Sequence, residues 1–106
     1  MHDLEIDILS RTVKRDGARI ELTSREFDLL EYLVRRQGTV VSREMLARDV
    51  WREPTRPTPL DNVIDVLIGR VRRKVDEGRS VKLIHTVRGL GFMVAAEEPR
   101  PYVSRT

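Results

Sequence analysis

The chain has 106 residues, 40% of them hydrophobic and 35% charged, with a formal net charge of +3 and no cysteine. That length suits one small domain with one modest core. The lack of cysteine excludes disulfides and thiolate metal sites, and no apolar run approaches the roughly 20 residues of a membrane span.

The opening residues, MHDLEIDILS, lack the basic-then-apolar layout of a secretory leader, so a cytoplasmic protein without membrane attachment is expected. Leu4, Ile6 and Ile8 alternate with acidic residues at period two, which predicts a strand. The run TVKRDGARIEL then sets two short strands around Asp16-Gly17, a pair suited to a type I′ hairpin turn.

LTSREFDLLEYLVRRQG predicts the first helix. Thr23 and Glu26 form a capping box, hydroxyl to backbone N–H and carboxylate back to the Thr amide, with Leu22 and Phe27 at staple positions. Phe27, Leu30, Leu33 and Val34 share one face, and Gly38 supplies the stop. VVSREMLARDVW repeats the logic in a shorter second helix, capped by Ser42 and stapled by Val41 and Leu46, with Val50 continuing the stripe. Pro54, Pro57 and Pro59 make REPTRPTP a loop. A third helix starts between Thr58 and Asp61, with either Thr58 (followed by Pro59) or Asp61 as cap, and runs to about Asp76-Glu77-Gly78. SVKLIHTV and FMVAA are then strands around a tight hairpin, while EEPRPYVSRT, with two prolines and no period, reads as frayed. The expected organisation is a domain over 1–96 and a flexible tail over 97–106.

Two features point beyond packing. On the third helix, Ile64, Ile68, Val71 and Val75 fall in one narrow arc, the core face. The opposite face carries Asn62, Val66, Gly69, Arg70 and Arg73, with Val63 and Lys74 at its edge. Exposed valines do not help solubility, but aliphatic groups pack on thymine methyls, and arginine forks match guanine or phosphate oxygens. Gly69 costs about 1 kcal/mol in a helix interior, and its bare Cα lets another backbone approach. The second feature is TVRGLGFMV. Gly89 and Gly91 meet the conformational needs of the turn, which leaves Arg88 at its tip without a structural duty. From Asn62 to Val94 the chain has seven Lys/Arg against three acids, a basic bias that fits a polyanionic partner.

These elements converge on an α+β winged helix-turn-helix: an N-terminal antiparallel sheet, three helices and a C-terminal β-hairpin wing. The segments ELTSREFDLLEYLVRRQGTVVSREMLARDVW, DNVIDVLIGRVRRKVD and KLIHTVRGLGF closely resemble the C-terminal DNA-binding effector domain of OmpR-type (PhoB-like) response regulators of two-component systems. The resemblance covers about residues 4–95. DNVIDV and KLIHTVRGLGF resemble most the branch responding to copper and other heavy metals.

The resemblance implies a recognition helix over about 60–77 in the major groove of double-stranded DNA. Val63, Asp65, Val66, Leu67 and Arg70 would face bases there, and Arg88 would enter the minor groove. Arg43, Trp51 through its indole N–H, Asn62, Arg72, Arg73, Lys74 and Thr86 would face the DNA backbone. Residues 52–59, including Arg52, Glu53, Thr55 and Arg56, would form a loop facing RNA polymerase. The family binds direct-repeat operators as homodimers on DNA, and its full-length members carry a receiver domain phosphorylated by a histidine kinase. This chain has no room for a receiver domain, and Asp3, Asp7 and Asp16 are not nominated as phosphoacceptors. Three departures weaken the expected electrostatics: Asn62 and Gly69 stand where arginine is common, and Phe92 replaces a tyrosine.

Two other functions compete. Catalysis is not expected: His2 and His85 are far apart and unaccompanied, there is no phosphate loop, and no acid–base constellation converges. No cofactor or metal is expected either. A winged helix that binds proteins instead of DNA is the alternative; the basic recognition face and Arg88 are what it would not need.

Overall fold

The computed structural model describes residues 1–53 and 58–97. The tail after Glu97 and the loop positions Thr55 and Arg56 lie outside the described residues.

The period-two pattern becomes β1 (Leu4–Asp7), which pairs antiparallel with β2 (Thr12–Arg15), itself paired with β3 (Ala18–Ile20). Ile6 lies opposite Val13, and Val13 opposite Ile20, so one face of the sheet is apolar while Glu5 and Lys14 point outward. The strand stops short of Ile8. Asp7 accepts hydrogen bonds from the amides of Leu9 and Ser10, 3.0 and 3.2 Å away, and this turn competes with the ladder. At the hairpin, Asp16 and Gly17 adopt φ of 52° and 77°, the two positive angles a type I′ turn requires.

Helix α1 (Ser24–Arg35) carries both halves of the capping box: the Glu26 amide donates to Thr23 Oγ1 at 3.2 Å, and the Thr23 amide donates to Glu26 Oε1 at 2.9 Å. Its buried face is broader than the apolar stripe alone predicts, because Glu26, Leu29 and Tyr32 are buried beside Phe27, Leu30 and Leu33. Arg36 caps the helix, so Gly38, at φ 82°, follows the stop; its amide donates to Val94 O. Ser42 caps α2 (Arg43–Asp49), accepting from the Met45 amide at 3.1 Å. Helix α3 runs from Thr58 to Asp76, so Thr58 is its first residue and Asp61 lies within its first turn, and neither is the cap.

The wing is β4 (Ile84–Val87) and β5 (Gly91–Val94), antiparallel, with Val41 bridging to Phe92 as a short third strand position. Helix α3 is the hub: α1, α2 and β4 all pack on it, through Ile64, Ile68, Val71 and Val75, each at most 2% exposed.

A buried ionic knot joins this hub to both sheets. Arg15 on β2 is 1% exposed. Its Nη1 donates to Asp76 Oδ1 and Val75 O at 2.8 Å, its Nη2 to Val81 O, and its Nε to Asp3 at 2.7 Å. The guanidinium thereby sits on the carbonyl-rich end of α3, where the helix dipole favours a cation. Asp76 in turn accepts the Leu83 and Ile84 amides, both at 2.9 Å, and so fixes where the wing strand begins.

Candidate nucleic-acid interface

On α3, side chains not turned to the core divide into a ridge and two flanks. The ridge carries Asn62, Val66, Arg70 and Arg73, all exposed, with Val63 exposed beside it. Val63 and Val66 are 48% and 54% exposed, unusual for aliphatic side chains on a helix that buries Leu60, Ile64, Ile68, Val71 and Val75. Arg70, Arg73 and Arg88 have no carboxylate within ion-pair reach among the described residues, so their charges are uncompensated. Gly69 lies on the same side, and a Cβ there would meet nothing within 4 Å. Packing inside the domain therefore does not require glycine at that position.

One flank faces the wing. Arg72 donates from Nη2 to Thr86 Oγ1 at 2.6 Å, linking α3 directly to β4. One helical turn-pair earlier, Asp65 accepts from Arg43 Nε at 2.8 Å, and the Arg43 guanidinium lies 4.9 Å from the centre of the Phe92 ring on β5. The start of α2, the flank of α3 and both wing strands are thus stitched together. Beyond them projects the turn Val87–Leu90, closed by a Leu90 N to Val87 O bond of 3.0 Å, with Gly89 at φ 74°. Arg88 and Leu90 stand exposed on it, Leu90 at 62%. His85, on β4, is buried, with its ring nitrogen 3.0 Å from Ala95 O.

The other flank is structural. Lys74, expected to face the DNA backbone, is exposed and places Nζ 2.6 Å from Glu26, which is 2% exposed. Burial pushes the Glu26 carboxyl up, but the Lys74 ammonium and the Thr23 amide outweigh it and hold the group below its ordinary range. The ammonium is committed to a carboxylate that would otherwise be buried uncompensated. Leu67, expected to face bases, is half-buried and packs on the core cluster; its neighbour in space is the domain itself.

Trp51 stands apart from Arg43, beyond the far end of α2. Its ring lies 5.4 Å from the Arg25 guanidinium, in an open cleft that also takes in Tyr32, Arg36, Asp49 and Arg52 and that no described residue of α3 or the wing lines. Arg52 and Glu53 are exposed beside it, Arg52 at φ 57°. Among the described residues no cluster of His, Asp and Glu could hold a metal, and no helix is long and apolar enough to cross a membrane.

Sequence reasoning missed the roles of Glu26, Asp76 and Phe92. Glu26 carried a signal, since a capping-box carboxylate is a fixed negative charge whose oxygens can each accept more than one donor, and Lys74 shares Oε1 with the Thr23 amide; Asp76 and Phe92 carried none, because their partners lie on other elements.

This combination of a helix-turn-helix and a hairpin wing, tied together by the Arg72–Thr86 bond, is that of a winged-helix DNA-binding domain. The family described as "Transcriptional regulatory protein, C terminal" matches residues 17–94, and the chain belongs to it: an OmpR/PhoB-type domain of DNA-binding response regulators, not an enzyme. The chain is 47% identical over 92 residues to the transcriptional regulatory protein CusR of Escherichia coli K12, spanning 87% of this chain and 40% of the relative. It is 42% identical over 96 residues to PcoR of Escherichia coli, spanning 91% and 42%. Both relatives support the branch to which DNVIDV and KLIHTVRGLGF point. The chain therefore spans about two fifths of the length of the curated relatives it matches. Among solved structures, the DNA-binding domain of Klebsiella pneumoniae RstA in complex with its RstA box superposes with a TM-score of 0.77 at 28% identity, over 90% of this chain and 93% of that one.

Proposed function

We propose that the domain binds double-stranded DNA in a sequence-specific way, with the α3 ridge in the major groove and the wing tip in the minor groove. The observation that carries this reading is the 2.6 Å bond from Arg72 to Thr86, which holds the flank of α3 against the wing. Ridge and tip then address one side of the molecule, as two adjacent grooves of a duplex require. Val63, Val66 and Arg70 meet base edges; Asn62, Arg73, Thr86 and Arg43 meet the backbone; Arg88 enters the minor groove, where narrow A·T tracts concentrate negative potential. Arg72 keeps its hold on Thr86 and sets the wing. Lys74 and Leu67 leave the list of contacts for the reasons given above, and Trp51 is kept only as a backbone contact at the edge of the footprint.

In this reading two copies sit head-to-tail on a direct repeat, and the loop that follows Trp51 faces RNA polymerase. A receiver domain phosphorylated by a histidine kinase in the cytoplasm supplies the signal, which for this branch is a heavy metal.

Titrating duplex DNA in a mobility-shift series at several salt concentrations tests the reading. Arg88→Ala is expected to weaken binding to sites flanked by A·T-rich minor groove by about 1–3 kcal/mol; unchanged affinity places the wing outside the groove. Arg70→Ala is expected to relax base preference in a selection experiment as well as to lower affinity. Equal weakening on all sequences makes Arg70 a phosphate clamp instead. Failure of the unaltered protein to bind any duplex at low salt favours a protein-binding winged helix.

A further inference from the structure

Asp65 lies on the DNA-facing side of α3, where its carboxylate has two possible duties. It could accept a hydrogen bond from a cytosine amine, or it could serve another residue of the domain. The geometry favours the second. Arg43 Nε points at Asp65 Oδ1 from 2.8 Å, and the guanidinium lies over the Phe92 ring, 4.9 Å from its centre. Asp65 comes from α3 and Phe92 from β5, so the guanidinium of Arg43, itself on α2, is held from two other elements. Only Nε is taken up by the carboxylate, and among the described residues neither terminal nitrogen of Arg43 has a partner, which leaves both for an oxygen outside the domain. Phe92 lacks a hydroxyl to offer a phosphate, but its ring is the face against which Arg43 rests.

We propose that Asp65 is a positioning residue for DNA binding: with Phe92 as platform it fixes Arg43 in one orientation, so that the terminal nitrogens meet a backbone phosphate, and it reads no base. This rests on the DNA-binding reading above. A flexible arginine loses rotamer freedom when it clamps a phosphate, and one already held by a carboxylate and a ring loses less. The bond also ties the phosphate contact made from α2 to the register of α3 in the groove.

The test is a double-mutant cycle on the whole chain, using a duplex recovered by in vitro selection with the unaltered protein. Asp65→Ala is expected to weaken that duplex about tenfold and to reduce the salt slope by about one unit. Its effect should shrink to less than about twofold in an Arg43→Ala background, because coupled residues do not add. The selected sequence should be unchanged. Relaxed preference at one base pair, an equal effect in both backgrounds, or tighter binding on loss of the carboxylate overturns the proposal and leaves the DNA-binding reading standing. A readout without DNA separates the two. In the free protein the Arg43 Nε–H resonance is expected to exchange slowly with solvent and to lose that protection in both Asp65→Ala and Phe92→Leu. Protection that is absent, or insensitive to both changes, removes the triad outright. Absence of duplex binding by the unaltered protein removes the DNA-binding reading, and this proposal with it.

Discussion

Asp76→Ala is expected to destabilise the domain by about 3–5 kcal/mol, the range for removing one partner of a buried ion pair. Arg15, 1% exposed, would keep the carbonyls of Val75 and Val81 but only the partly exposed Asp3 as counter-charge. The amides of Leu83 and Ile84 would lose their acceptor in a region where both residues are buried, and each unpaired group costs about 1–3 kcal/mol by itself. These terms overlap and do not sum. For a domain of this size the loss is a large share of total stability. Urea unfolding checks it as a fall in the midpoint with an unchanged slope. Asp76→Asn separates charge from acceptor. It keeps one oxygen but turns an N–H₂ toward an N–H or toward Arg15, so it is expected to fall between the native protein and the alanine variant. A shift below about 1 kcal/mol for Asp76→Ala would show that water replaces the carboxylate, and that the knot does not hold α3 to the sheets.

What could be read from the sequence, and what could not, follows from the range of the forces involved. The capping box of Thr23 and Glu26, the Ser42 cap, the Asp16-Gly17 turn and the core stripe of α3 are interactions within a few residues of chain, so spacing and residue type suffice to find them. The stop of β1 at Asp7 is equally local, yet it went unread, because the side-chain turn competes with an apolar alternation that continues through Ile8. Two of the expected contacts meet a different limit. Lys74 and Leu67 sit at helical angles that periodicity assigns to the exposed side. The flank is nevertheless occupied, in one case by the amino end of α1 and in the other by the core. A helical wheel gives the direction of a side chain but not what stands there. Arg15 shows the same limit more sharply. On the strand pattern it is one more charged residue of a surface hairpin; only the closure of β2 against the end of α3, 61 residues away along the chain, makes it the most buried cation of the domain. The candidate interface was easier to read than this interior, since its signals were violations of local economy: valines on an outer face, a glycine inside a helix, an arginine on a glycine turn.

Gly91→Ala carries the second large expectation, and it acts on the wing. Gly91 is buried at φ 146°, and a Cβ built on it would lie 2.1 Å from Val41 O, 2.8 Å from Val41 C and 2.9 Å from Ser42 Cα. All three are backbone atoms, so no side chain can swing aside. The strand must lift, and the first bonds in its path are those between Val41 and Phe92, 2.7 and 2.8 Å long. Two backbone hydrogen bonds at about 1 kcal/mol each, together with strain of similar size at the substituted residue, give an expected loss of about 2–4 kcal/mol. Gly89→Ala is the control. Its φ of 74° strains an alanine too, but nothing lies within 4 Å, so only the backbone term of about 1–2 kcal/mol remains. The difference between the two variants in thermal or urea unfolding measures the docking of the wing. Hydrogen exchange should localise it: the Val41 and Phe92 amides lose protection in Gly91→Ala and keep it in Gly89→Ala. If lifting β5 also slides Phe92 from beneath Arg43, Gly91→Ala weakens DNA binding even below its melting temperature, whereas a purely thermodynamic effect leaves the folded fraction binding normally. Equal stability of the two variants would mean that the close approach of Gly91 to Val41 relaxes without resistance, and that the wing is not anchored there.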